Sequence, residues 1–400
     1  VIALANGTGP FIGGALVDSV SWRWLFWIIP MLTLPAFLLI LFFLPLKYTS
    51  SNTSSKLRKI DYIGIVLNIA AVLLILIPLS SGGVQYAWDS AIVITMLVIG
   101  VATAVLFILY EWKIAPMPIL PVHLVSNPHC PALYIQNFFT GICYFGNFFY
   151  TPIYFQSVRG YSALTSGALL LVIIIPTGFT SILSGQMMTR TGRYRWVMVV
   201  GFVLWTLGTS LKCAFDRETE VWYAVLVLAV EGLGIGMTQQ PPLLAILSNS
   251  SQSERAVATG LRYFIRTVGG AFGIIISGAI LSNNLESQLS GLDFITPEIL
   301  KTLTYSTYSL NKLGFTYTQK DEVLASYMTG MKYIFILFAA CSGLNLLLCA
   351  GIGNTDLKAK KFMVEEKDKD MVSIRNVTPE PFQEPTQKDE ESWEEKVNKE

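Results

Sequence analysis

The chain has 400 residues, 52% hydrophobic and only 14% charged, with a formal net charge of +1 and a mean hydropathy of +0.53. Soluble domains carry about a quarter charged residues, so a soluble globular protein is excluded, and the near-neutral balance gives no electrostatic footprint for nucleic acid. Cys130, Cys143, Cys213, Cys341 and Cys349 are scattered through apolar stretches without CxxC spacing, which leaves neither a disulfide framework nor a zinc site.

A window of about 20 residues resolves roughly ten spanning segments. They lie near 1–17, 24–45, 61–80, 91–111, 132–155, 163–188, 195–214, 221–247, 257–281 and 331–352. The fold class is therefore an all-α polytopic membrane protein. The first segment holds Gly7-Thr8-Gly9-Pro10-Phe11-Ile12-Gly13-Gly14. Such a cluster is costly in a soluble helix, but a membrane helix tolerates it because neighbouring helices re-satisfy the backbone and small residues admit close partners. The segment opens on Val1 with no polar lead-in, so earlier helices are expected to be missing from this sequence.

The linker 113–130 carries His123 and His129 around prolines, and neither is assigned a metal role. In 132–155, Gln136, Thr140, Tyr144, Asn147 and Thr151 recur at spacings of three and four and share one helix face. Lipid cannot satisfy such a polar stripe, so it faces protein or water, and the reading favoured here is a substrate cavity over interhelical hydrogen bonds. Pro176 and Gly178 predict a kink in 163–188. Glu231 lies deep in 221–247, where an isolated charge costs at least about 2.5–3.5 kcal/mol. Arg266 is similarly deep in the next segment, so the two are expected to pair, or Glu231 to bind a proton or a cationic substrate. Arg262 is read as a headgroup or loop contact. Gln239 and Gln240, followed by Pro241 and Pro242, predict a helix break of the kind that marks gates and binding sites in transporters. Gly232-x-Gly234-x-Gly236 just before it follows no strand and is not a dinucleotide loop.

Positive charge sets the orientation. Lys47, Lys56, Arg58 and Lys59, then Lys113, then Arg190, Arg193 and Arg195, then Arg255, then Lys358, Lys360 and Lys361 mark one side as cytoplasmic. The opposite loops are poorer in charge and include Arg159, Lys212 and Arg217; the long connection 282–330 is then external. Trp22, Trp24, Trp27, Trp88, Trp196 and Trp222 lie near segment ends, as interfacial anchors do. Beyond 353 the composition turns to Lys, Glu, Asp, Pro and Ser, and a disordered cytoplasmic tail is expected over 353–400.

Several of these residues carry a family resemblance. Gly9-Pro10-x-x-Gly13-Gly14, then Asp18 and Trp22-Arg23-Trp24-Leu25-Phe26, resembles the antiporter motif in the fifth helix of major facilitator superfamily drug exporters. Gly185-x-x-x-x-Arg190-x-Gly192-Arg193-Tyr194-Arg195 resembles the second copy of that superfamily's cytoplasmic loop motif, with Thr189 where the usual Asp stands. Trp88 and Glu111-Trp112-Lys113 resemble the extra central helix pair of the fungal fourteen-helix drug:proton antiporters, and Arg255-Ala256 through Arg266, Gly269, Gly270 and Gly273 match the same branch. The resemblance implies a major facilitator fold with about ten of fourteen helices present. Residues 1–45 are then the end of an N-terminal bundle, 46–130 a loop and the central pair, and 131–352 a C-terminal six-helix bundle. It also assigns the Gly-Pro motif to a hinge favouring export, and 132–155 to a cavity-lining helix.

No His/Cys/acid constellation, Gly-x-Ser-x-Gly elbow or nucleotide-binding cassette points to an enzyme or to ATP hydrolysis. The expected function is proton-coupled efflux of amphipathic drugs, toxins or secondary metabolites by alternating access. A monomer without cofactor is expected, in the plasma membrane or alternatively the vacuolar membrane. Three other readings stay open: a siderophore or nutrient carrier of the same superfamily, a non-transporting sensor signalling through the tail, and a non-functional fragment.

Overall fold

The structure is a computed structural model that describes residues 2–44, 61–83, 85–115, 118–120, 130–251, 254–292, 294–296, 298–299, 302–303 and 315–353, with the backbone alone at 2–8 and 10. The loop lysines before residue 60, His123, His129 and the tail beyond 353 lie outside these residues.

Helices stand at every expected spanning position. They are α1 (Ile2–Ser19), α2 (Trp24–Phe43), α3 (Tyr62–Ser81), α4 (Ala91–Lys113), α5 (Pro131–Ile153, continued by a π-helical turn, Tyr154–Val158) and α6 (Ala163–Thr191). Then follow α7 (Arg195–Lys212), α8 (Val221–Gln239), α9 (Pro241–Ser248), α10 (Arg255–Leu289) and α11 (Tyr317–Gly351). The described residues contain no β-strand. Among the described residues, taking α8 and α9 as one span, 7 helices are long and apolar enough to cross a membrane by length and composition; α1, α5 and α7 are outside that set. Several polar side chains of α5 and α7 are turned inward: Gln136, Asn137, Asn147, Thr151 and Lys212 are all buried.

Local chemistry sets the ends. Asp61 caps α3 through the Gly64 N–H at 2.9 Å, and Ser162 caps α6 through that of Thr165 at 3.1 Å. Thr316 and Gln319 close a capping box on α11. At the other end of α6, Gly192 takes φ 73°, a left-handed conformation that a side chain would strain. The expected loop 282–330 is shorter than the hydropathy window suggests. Helices α10 and α11 have 35 residues each, about 52 Å at 1.5 Å per residue, well beyond the ~30 Å hydrocarbon core. Their projecting turns are too polar for a hydropathy window but pack on each other, with Asn284 donating to the Ser326 carbonyl at 2.8 Å, and Arg217 of the α7–α8 connection pairs with Asp321 of α11.

Close backbone approach organises the bundle. α8 is gripped from two sides by the Gly232-x-Gly234-x-Gly236 run. A Cβ on Gly232 or Gly236 would fall 2.3 Å from the carbonyl of Ile173 or Thr177 in α6, and one on Gly234 would fall 2.3 Å from the Trp205 amide nitrogen in α7. Thr177 and Thr180 of α6 lock the contact by donating to the Gly232 and Leu233 carbonyls at 3.0 and 3.1 Å. Gly236→Val is therefore expected to separate α6 from α8 and to destabilise the protein by about 1–3 kcal/mol, read as a lowered thermal midpoint in detergent; an unchanged midpoint contradicts this packing.

The Gly-Pro motif of α1 docks against α6. A Cβ on Gly14 would meet the Ala163 carbonyl oxygen at 2.7 Å, whereas Gly9 has nothing within 4 Å. Asp18 accepts a hydrogen bond from the Leu164 N–H at 2.9 Å, placing a carboxylate at the positive end of α6. The two glycines of the motif therefore differ among the described residues: Gly14 sits at a contact with α6 and Gly9 has no described neighbour within 4 Å.

Candidate substrate cavity and buried ion pair

Two polar centres lie inside the helices α5–α11. The first surrounds Glu231, ten residues into α8 and fully buried. Its partner is Lys212: the Nζ–Oε2 distance is 2.5 Å, with the side chains 1% and 0% exposed. Asn147 of α5 donates to the other carboxylate oxygen at 2.9 Å and accepts from Lys212 at 2.6 Å. Thr151, one turn on, donates to Asn147 Oδ1 at 2.8 Å and lies 3.3 Å from Lys212 Nζ. The ammonium also sits 5.7 Å from the centre of the Phe335 ring in α11. Four helices thus enclose one charge pair whose polar atoms are matched to each other, the condition under which a buried pair is tolerable.

This geometry corrects the expected Glu231–Arg266 pair. Arg266 meets α8 at Gln239, eight residues beyond Glu231 and so about 12 Å further along the helix. Lys212, expected to be an external loop charge, is the residue that reaches Glu231. It is the last residue of α7, and helix side chains lean toward the N-terminus, so its long stem runs back into the bundle.

The second centre is a cavity of about 320 Å³ between α5, α6, the α8–α9 break and α10. Tyr144, Gln239, Gln240, Arg262 and Arg266 supply its polar wall, and Phe145, Leu243 and Tyr263 its apolar one. Pro241 and Pro242 have no N–H and end α8 at Gln239, whose carbonyl then accepts from Arg262 at 3.0 Å while its side-chain oxygen accepts from Arg266 at 2.7 Å. The Arg266 guanidinium stacks 4.5 Å from the centre of the Tyr144 ring. Arg262 is 2% exposed and lines this cavity, so it is neither a headgroup nor a loop contact.

The polar stripe of α5 therefore divides three ways. Tyr144 faces the cavity together with Gln239 and Gln240. Asn147 and Thr151 belong to the ion pair. Gln136 and Thr140 reach neither: Gln136 donates to the Asn345 carbonyl and Cys349 Sγ of α11 at 3.0 and 3.2 Å, and Thr140 lies 3.4 Å from the Asn345 amide. Those two are interhelical hydrogen bonds. Of the loop motif, Gly185 is helical in α6, Gly192 is its cap, and Arg190 and Arg193 lie at the same end. Next to them Arg195 and Tyr194 donate to the Ala350 and Gly353 carbonyls, tying that end to α11.

A bundle of apolar spanning helices with a broken helix, a polar cavity beside the break and a buried charge pair has the construction of a membrane solute carrier. The chain belongs to the Major Facilitator Superfamily, whose profile matches residues 1–274. It is 32% identical over 376 residues to "Citrate exporter 1" of Yarrowia lipolytica, covering 92% of this chain and 56% of that protein. It is 31% identical to "MFS-type transporter clz4" of Cochliobolus lunatus, over 85% of this chain and 60% of the other, and 31% identical to "Efflux pump dotC" of Dothistroma septosporum, over 89% and 62%. The chain thus spans about three fifths of the length of these relatives. They are named as exporter, transporter and efflux pump, and the expectation of a transporter of the fungal efflux type rather than an enzyme agrees with them.

Proposed function

We propose that this protein exports small organic molecules by alternating access, driven by protons. The observation that supports this reading is the polar cavity at the α8–α9 break, because a discontinuous helix facing an internal cavity is where such carriers hold substrate. The positively charged ends of α6–α7 and α10 then face the cytoplasm, so the cavity loads from inside, and the Lys212–Glu231 pair occupies the external half.

Helix α5 connects the two centres. Tyr144 touches Arg266 at the cavity, and Asn147, one turn on, holds both members of the ion pair. A proton arriving from outside on Glu231 would break its pairing with Lys212, leave the ammonium to Asn147 and Thr151, and so free α5 to shift at Tyr144. Differential affinity of substrate and proton for the two arrangements is all that export requires. The α1–α6 contact at Gly14 is the seam on which one bundle rocks against the other. The names of the relatives favour outward transport, and the aromatic walls suit amphipathic molecules.

The test loads cells expressing the full-length protein with fluorescein, rhodamine 6G or Nile red and follows dye loss. Energised cells are expected to expel at least one dye several-fold faster than cells without the protein, and a protonophore to abolish the difference. Equal loss in both strains for all three dyes, or loss indifferent to the protonophore, contradicts the proposal.

A further inference from the structure

We infer that the cavity is built for an organic anion: a molecule with a carboxylate, or an equivalent oxyanion, on an apolar or aromatic body. This rests on the export reading above and adds the charge of the substrate.

Arg262 and Arg266 stand one turn apart on α10 and are 2% and 7% exposed. Among the described residues neither forms an ion pair and no carboxylate lines the cavity. Each guanidinium is held only by neutral groups, the backbone and side-chain oxygens of Gln239 and the rings of Tyr144 and Tyr263. The Nε of each has no hydrogen-bond partner among the described residues. Two like charges one turn apart repel, and a buried charge without a counter-charge is expensive. The contrast is with Lys212, whose buried charge is matched within the chain by a carboxylate and two further polar groups.

The cavity is also of ligand size, since pockets for small molecules start at about 300 Å³. An oxyanion seated between the guanidiniums supplies the missing charge and the missing acceptors, and arginine forks match carboxylates two bonds at a time. Gln239 fixes the arginines from behind, and Gln240, Thr177, Ser181 and Thr267 complete a polar rim. Phe145, Leu243 and Tyr263 provide the surface for the rest of the molecule, which favours an organic acid over inorganic phosphate.

The full-length protein, purified into neutral phosphatidylcholine nanodiscs, is titrated with benzoate, tricarballylate, inorganic phosphate and tetraphenylphosphonium while the thermal midpoint is followed. At least one organic acid is expected to raise the midpoint, and tetraphenylphosphonium is not. Arg266→Gln and Arg262→Gln are each expected to weaken acid binding at least about tenfold, with Arg266→Lys intermediate, because a lysine keeps the charge but not the fork. Stabilisation by the cation alone, or acid binding unchanged in properly folded Arg262→Gln and Arg266→Gln, overturns the inference. So does stabilisation by phosphatidylglycerol nanodiscs that removes the acid effect, since a lipid headgroup then fills the site. Efflux of rhodamine 6G but not fluorescein from cells contradicts the anion inference and leaves export intact. Acid binding without efflux of any dye does the reverse.

Discussion

Replacing Lys212 by methionine is expected to destabilise the protein by about 3–5 kcal/mol, because it leaves a buried carboxylate with no cation beside it. Glu231 would keep only the Asn147 amide, and Asn147 would lose the Lys212 contact that orients it. Glu231→Gln is also expected to destabilise, since its single amide oxygen can accept from Lys212 or Asn147 but cannot replace both carboxylate oxygens, and the Lys212 ammonium loses its counter-charge. The double variant Lys212→Met/Glu231→Gln removes both charges and is expected to recover most of the loss, as uncharged replacements of buried pairs generally do. Thermal unfolding of the four proteins gives the coupling as a double-mutant cycle. Additive losses would mean that the two groups do not form a pair in the membrane.

Gly14→Leu is expected to abolish transport while Gly9→Ala leaves it intact, although both change glycines of the same motif. At Gly14 even a Cβ overlaps the Ala163 carbonyl and the Leu164 backbone, and a leucine would push α1 off the start of α6 and pull Asp18 from the Leu164 N–H. Overpacking of this kind costs about 1–3 kcal/mol. Under the alternating-access proposal, in which this contact is the moving seam, the larger effect is on transport, at least about tenfold in rate, which corresponds to 1.4 kcal/mol in a barrier. At Gly9 a methyl group meets nothing within 4 Å among the described residues, and alanine favours the helix by up to about 1 kcal/mol. Equal loss in both variants would show that the motif acts through its own backbone and not through the α1–α6 seam.

The positions of the spanning helices were legible in the sequence because a bilayer imposes one requirement, about 20 apolar residues in a row, that a window reads directly. The ends of α10 and α11 were not, since Asn283, Asn284 and Glu286, and Lys320, Asp321 and Glu322, belong to turns that leave the membrane while remaining helical. The burial of Glu231 followed from its depth alone. Its partner did not, because sequence depth measures where a Cα lies and not where a side chain ends. Lys212 has its Cα at the end of α7 and its ammonium well inside. The signal that could have found it is a lysine closing a spanning helix, with an acid midway along the next one. Arg262 was misplaced for the converse reason: its Cα is two turns inside α10, but the break after Gln239 opens a cavity beside it. The polar stripe of α5 was read as one face, yet a helix packed on α10 and α11, and reaching Lys212 of α7 and Glu231 of α8 through Asn147, offers its polar residues to different neighbours at different heights. Spacing cannot separate Gln136, which serves packing, from Tyr144, which serves the cavity.

The most direct test compares proton-driven efflux with substrate exchange in proteoliposomes of the full-length protein and its Glu231→Gln variant. Exchange needs the cavity and the moving seam but no net proton transfer, whereas driven efflux needs the carboxyl to load and release a proton. The account predicts that Glu231→Gln loses driven efflux at least about tenfold and keeps exchange within about twofold of the native protein. Driven efflux at the native rate and with the native pH dependence in Glu231→Gln would contradict it.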